Sequence, residues 1–174
     1  IMKRELDSKF NSHLMMVYAW PSQQLFCNMG SKDQKTVSLA ELKGKKIRTY
    51  STTLGDFIEG IGGSAVTIAF AEVQPALASG VIDCAITGAL SGYKSKWHES
   101  AKFISPLPIN FGVAAQLANL KWWNTLDPKV QAFLEKELRK LELAIFEQAK
   151  TETQTGINCN TGTGPCSEGA PASM

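Results

Sequence analysis

The chain has little of what most enzymes and most nucleic-acid binders need. Its 174 residues include two histidines, His13 and His98, and they lie far apart in sequence. No G-x-S-x-G elbow, H-E-x-x-H pair or phosphate-cradling glycine loop occurs, so no nucleophile, base or metal cluster is assembled along the chain. Gly60-Ile61-Gly62-Gly63 follows a helical pattern instead of a strand and carries no nucleotide fingerprint. The reading is therefore a protein that is not an enzyme, with no cofactor and no metal. Charge of one sign is also lacking: 18 Lys+Arg stand against 16 Asp+Glu, and a net of +2 leaves no footprint for nucleic acid. Long apolar runs are absent, since the richest, Leu14 to Trp20, is only strand-length. The chain opens without a basic, apolar or cleavable leader and stops in a Gly/Ser/Pro-rich stretch, which reads as a piece of a longer protein.

What is present builds a core: 44% of residues are apolar and 20% charged. Strands are expected at Leu14 to Trp20, ended by Pro21-Ser22, and at Leu25 to Met29, followed by a polar loop from Gly30 to Lys35. Ser38 and Glu41 form a capping box for a short turn stopped by Gly44. Strands at 46–50, 65–69 and 81–86 then alternate with helices at 53–61, 71–79 and 91–100, with Pro75 an awkward helix member. Asn110 to Leu117 reads as a further strand. Asp127 caps and Pro128 opens a long helix with the apolar stripe Val130, Phe133, Leu134, Leu138, Leu141, Ile145, ending between Thr153 and Gly156. At about 1.5 Å per residue that helix approaches 40 Å.

Alternating strands and helices indicate an α/β fold with a mostly parallel sheet flanked by helices, and ligands then bind outside the carboxyl ends of the strands. Three residues end or follow strands there. Arg48 is either a solvated arginine or a guanidinium fork for a carboxylate. Phe70 is either packing or an apolar wall. Thr87 is either a capping hydroxyl or a donor to a ligand oxygen. Trp20 ends a strand beside Pro21, whereas Trp97, Trp122 and Trp123 read as core. Cys159 and Cys166, separated by a Gly- and Pro-containing loop, suit a disulfide or a pair of inert thiols. No histidine or second cysteine pair stands nearby to complete a metal site. Cys27 and Cys84 read as small buried hydrophobes.

The run Leu39-Ala40-Glu41-Leu42-Lys43-Gly44-Lys45-Lys46-Ile47-Arg48 resembles the DLKGxKxR segment of the solute-binding proteins of TRAP transporters, the DctP family. Phe70 to Asp83 is similar to that family's FxExxxALxxGxVD, and Trp122 to Gln131 to its entry into a long interlobe helix. The likeness runs in order from about Leu14 to Thr155. It implies a two-lobed, type II-like periplasmic-binding-protein fold. Residues 1–25 would be the remnant of a first lobe and a crossing strand, and 26–108 a second α/β lobe carrying the ligand anchor. Residues 109–155 would be a crossing strand and the interlobe helix, and 156–174 a cysteine-containing loop returning to the second lobe.

The function implied is a periplasmic receptor that captures a small organic acid by its carboxylate and delivers it to the small and large membrane subunits of the transporter. A ligand-sensing module of a signalling protein is the alternative. Arg48 matches the family arginine that pairs with the carboxylate, and Phe70 a pocket aromatic. Thr87 stands where many members have asparagine, and Trp20 and Asn110 complete the expected ligand-binding set. If the stripe of the long helix was built to lie across two lobes, Phe133, Leu134, Leu138, Leu141, Ile145 and the strand from Leu14 to Val17 should be unusually exposed.

Overall fold

The computed structural model describes residues 2–30 and 37–174, so part of the polar loop expected from Gly30 to Lys35 lies outside the described residues. The elements are α1 (Met2–Phe10), β1 (Ser12–Cys27), β2 (Lys46–Thr49), α2 (Thr52–Gly60), β3 (Ser64–Thr67), α3 (Val73–Ala78), β4 (Cys84–Gly88), α4 (Ala89–Lys94), β5 (Phe103–Asn119), α5 (Leu120–Trp123) and α6 (Pro128–Thr161). Short 3-10 turns at Leu39–Leu42, Phe70–Glu72 and Trp97–Glu99 join them.

The chain divides into two compact units: Ile1–Trp20 with Gly112–Lys150, and Pro21–Phe111 with Thr151–Met174. β1, β5 and α6 each pass from one unit into the other.

In the second unit the sheet runs β3-β2-β4-β1-β5. β2 pairs parallel with β3 and β4, while β1 joins β4 antiparallel, with Leu25 opposite Ile86 and Cys27 opposite Cys84. β5 also runs antiparallel to β1: the Lys102 N–H donates to the Cys27 carbonyl, and the Leu120 N–H, in the first unit, to that of Asn11. The sheet is thus mixed, with its three short parallel strands at one side. Period-2 alternation divides the core between its faces. Leu25, Cys27, Ile47, Cys84 and Ile86 pack with Leu42, Leu54 and Ile58 on one face. Phe26 and Ala85 pack with Val73, Leu77, Ile82 and Trp97 on the other.

Local chemistry explains the element ends. The Ser38 hydroxyl accepts from the Glu41 N–H while the Glu41 carboxylate accepts from the Ser38 N–H, which closes the expected capping box. Pro75 sits in the first turn of α3, where backbone N–H groups have no intrahelical acceptor, so its missing donor costs nothing.

Pro21 does not end a strand. β1 runs through it, because pairing with β4 begins only at Gln23 and Pro21 owes that neighbour no hydrogen bond. Gly156 likewise does not stop α6, which continues to Thr161 and carries Cys159 within it. A Cβ at Gly156 would lie 2.2 Å from the Leu90 amide nitrogen, so the glycine serves close approach to the start of α4.

Both cysteine pairs are bridged. Cys159–Cys166, with Cα atoms 4.7 Å apart, is the bridge anticipated. Cys27–Cys84 corrects the reading of two thiols: strand register sets them opposite each other with Cα atoms 4.1 Å apart, and both are fully buried.

In the first unit, Val17 donates its N–H to Glu142 of α6. His13 is buried and stacks on Trp123, with ring centroids 4.2 Å apart. Of the helix stripe, Phe133 is 61% and Leu141 48% exposed, while Leu134, Leu138 and Ile145 are half-buried. Phe111 and Val113 of β5 are 72% and 73% exposed. The strand from Leu14 to Val17 is less open than expected: Met16 is buried and its neighbours half-buried.

Candidate functional site

The site is built on the carboxyl edge of the parallel strands, within the second unit. Arg48 lies next to the end of β2, the middle of the three, with Val66 of β3 and Ala85 of β4 as its register partners. Its guanidinium Nε donates to the Ile68 carbonyl at 3.1 Å and Nη1 to the Ile86 carbonyl at 3.3 Å. The residue just past the end of β3 and a residue of β4 therefore hold the side chain from both sides. The Arg48 Cζ sits 5.8 Å from the ring centroids of both Tyr50 and Phe70, within cation–π range of each.

Arg48 is only 6% exposed, yet none of the described residues gives it a carboxylate partner. Burial pushes its pKa below the ordinary arginine value, and Tyr50 works in the opposite direction. A guanidinium has five N–H donors. Two are spent on backbone carbonyls, which hold the group in place without neutralising it. A buried cation with spare donors and no counter-charge is suited to bind an anion, and the planar fork matches a carboxylate.

Phe70 opens the turn after β3 and is 41% exposed. Its inner side leans on Trp97, with centroids 5.2 Å apart, and Trp97 meets Phe26 edge-on at 5.4 Å. The wall beside Arg48 is therefore anchored in the core. Thr87 is buried and follows Ile86, whose carbonyl Arg48 holds. By strand alternation it shares the sheet face of Ala85 and Arg48.

Asn110 joins the group through a residue the sequence did not single out: its Nδ2 donates to the Tyr50 hydroxyl at 2.9 Å. The signal for Tyr50 was a polar aromatic two residues beyond the arginine, at the same strand end. Trp97, read as core, is core, and it also backs Phe70. The structure thus brings Arg48, Phe70, Thr87 and Asn110 together in one unit. Trp20 belongs to the first unit, where its ring lies against Gly112.

The family model for the bacterial extracellular solute-binding proteins of family 7, DctP, matches residues 2–159. The chain belongs to this family. Among solved structures it is similar to DctP6 of Bordetella pertussis, an extracytoplasmic solute receptor binding pyroglutamic acid. The identity is 26% and the TM-score 0.80, over 99% of this chain and 56% of that one. A TRAP periplasmic solute-binding protein of Desulfovibrio salexigens with bound orotic acid matches at 18% identity and TM-score 0.79, over 92% and 50%. One of Rhodoferax ferrireducens with bound malonate matches at 18% and 0.79, over 95% and 51%. The chain thus spans about half the length of the structures it matches. The mixed sheet flanked by helices is the fold of these periplasmic receptors. No described helix is long and apolar enough to cross a membrane.

Proposed function

We propose that the chain is the ligand-anchoring part of a periplasmic receptor of a TRAP-type transporter, and that it captures a small organic acid by clamping the carboxylate with Arg48. The observation that carries this reading is the buried guanidinium, braced by two strand-end carbonyls and two aromatic rings and lacking a counter-charge among the described residues. A carboxylate docked there would supply the missing charge. Phe70 would pack against the acid's apolar part, and Thr87 and Asn110 would complete the ligand-binding set of this unit. Capture needs no chemical turnover. The bound acid would then pass to the small and large membrane subunits of the transporter.

The structural relatives bind pyroglutamate, orotate and malonate, all carboxylates, which supports the ligand class. Pyroglutamate heads the candidates, because the DctP6 likeness combines 26% identity with near-complete coverage of this chain. The test is calorimetric titration of the protein, together with an Arg48→Ala variant, against a panel of these acids. The expected loss is about 2–5 kcal/mol, the usual cost of leaving a buried charge unpaired. Equal affinity of the two proteins for a carboxylate ligand would end the assignment of Arg48.

A further inference from the structure

The sheet face that carries Arg48 also carries a buried polar atom that the fold leaves unsatisfied. Gln24 of β1 is fully buried. Its Nε2 donates to the Ser22 hydroxyl at 2.6 Å, and that hydroxyl is bonded to the Thr153 hydroxyl of α6 at 3.0 Å. This chain of bonds occupies the nitrogen end of the amide. At the other end the Oε1 is buried with no donor among the described residues. A bare buried acceptor destabilises a fold, and a methionine would fill much the same space without that cost.

Strand register locates this side chain. Gln24 lies opposite Thr87 of β4, and such partners have Cβ atoms about 4.5–5.5 Å apart. On the other side of β4, Arg48 of β2 lies opposite Ala85, two residues before Thr87. Alternation therefore sets Arg48, Thr87 and Gln24 on one face of three adjacent strands, β2, β4 and β1, all within the second unit. The Arg48 Nη1 donates to the Ile86 carbonyl, one residue short of Thr87, which brings its charge to the same end of β4.

The groups at the two sides of this row ask different things of a ligand. Arg48 offers donors and a positive charge. The Gln24 carbonyl offers an acceptor, and it repels a second carboxylate. Resting on the carboxylate reading of Arg48, we infer that Gln24 sets which carboxylates are taken: small acids with an N–H or O–H beside the carboxylate, as in amido and hydroxy acids, in preference to acids without that donor. The carboxylate goes to Arg48 and the neighbouring donor to the Gln24 Oε1. Access needs no movement of β1, because the last torsion of a glutamine is soft and the amide is held by the Ser22 bond. An acid lacking the donor leaves the Oε1 bare, and a site built to hydrogen-bond a ligand N–H or O–H rejects such an analogue.

The test compares two matched pairs of acids by calorimetry: pyroglutamate against the lactone acid in which a ring oxygen replaces its N–H, and lactate against propionate. The donor-bearing member of at least one pair should bind about tenfold more tightly or better, the order of one hydrogen bond made or left unmade. In Gln24→Met, which nearly keeps the volume, that preference should vanish, while Arg48→Ala should weaken both members alike. The comparison of paired ligands on the parent protein needs no variant, so it decides even if Gln24→Met folds poorly. Equal affinity within each pair, or a preference that survives Gln24→Met, overturns the role of Gln24 and leaves Arg48 in place. Failure of all four acids to bind also overturns it, and the reading of Arg48 is then decided separately by the wider panel of carboxylates.

Discussion

The buried disulfide makes a quantitative claim about stability. Cys27 and Cys84 close a loop with a sequence separation of 57, whereas Cys159 and Cys166 close one of 7. If a disulfide acts mainly by restricting the unfolded chain, the longer loop is worth about 4 kcal/mol and the shorter about 2.5 kcal/mol at room temperature. Cys27→Ala with Cys84→Ala also removes two sulfurs from the cluster of Leu25, Ile47, Leu54, Ile58 and Ile86, so about 4 kcal/mol is a lower figure for that double variant. Urea unfolding of the protein and of each double variant, followed by hydrogen exchange at β2 and β4 amides, measures both losses. With m of about 2 kcal/mol/M, the midpoint should fall by about 2 M for the Cys27/Cys84 variant and by visibly less for the Cys159/Cys166 variant. Equal losses, or the reverse order, would refute the loop-length reasoning for this fold.

Gly156→Ala should destabilise the packing of α6 on α4 by about 1–3 kcal/mol, because the new Cβ would meet the Leu90 nitrogen at 2.2 Å and the Ala89 carbonyl carbon at 2.5 Å; a thermal melt matching the parent protein would contradict the contact. His13 has its pKa lowered, first by burial and then by Lys3, with Asp7 and Glu135 opposing. Below its ordinary value near 6.5 the unfolded chain takes up the proton more readily, so stability is full above that pH and falls as pH drops through it; His13→Gln should flatten this part of the stability–pH curve. Glu152 shows the opposite sign: burial raises its pKa, so the fold loses stability as pH rises above the ordinary carboxyl value. Glu152→Gln should therefore raise the neutral-pH melting temperature, and a lowered one would count against the assignment.

The legible part of this chain was the part governed by local punctuation. Ser38 and Glu41, Asp127 and Pro128, and the strand ends at Arg48 and Thr87 are readable because each rests on a few neighbouring residues. Relations set by register were not readable. Nothing near Cys27 or Cys84 says that an antiparallel strand will bring them opposite each other from 57 residues away. Pro21 and Gly156 misled for the same reason. Each breaks its element only if the neighbour needs the missing N–H or leaves room for a stop, and tertiary packing decides that.

The surroundings of Arg48 arise from this same combination of local and non-local facts. Placed near the end of an edge strand, an arginine would find carbonyls on one side only and sweep through solvent. β2 is flanked on both sides, so its arginine reaches the Ile68 carbonyl just past the end of β3 and the Ile86 carbonyl of β4 together. The connection after β3 delivers Phe70 to one ring position, and the residues following β2 deliver Tyr50 to the other. Two hydrogen bonds and two aromatic faces thus restrict the guanidinium, which would lower the entropy lost on binding the proposed carboxylate. The same backbone carbonyls carry no net charge, so the cation remains unneutralised. Pre-organisation without compensation is what an anion receptor requires. In this fold it follows from putting the arginine on the inner strand.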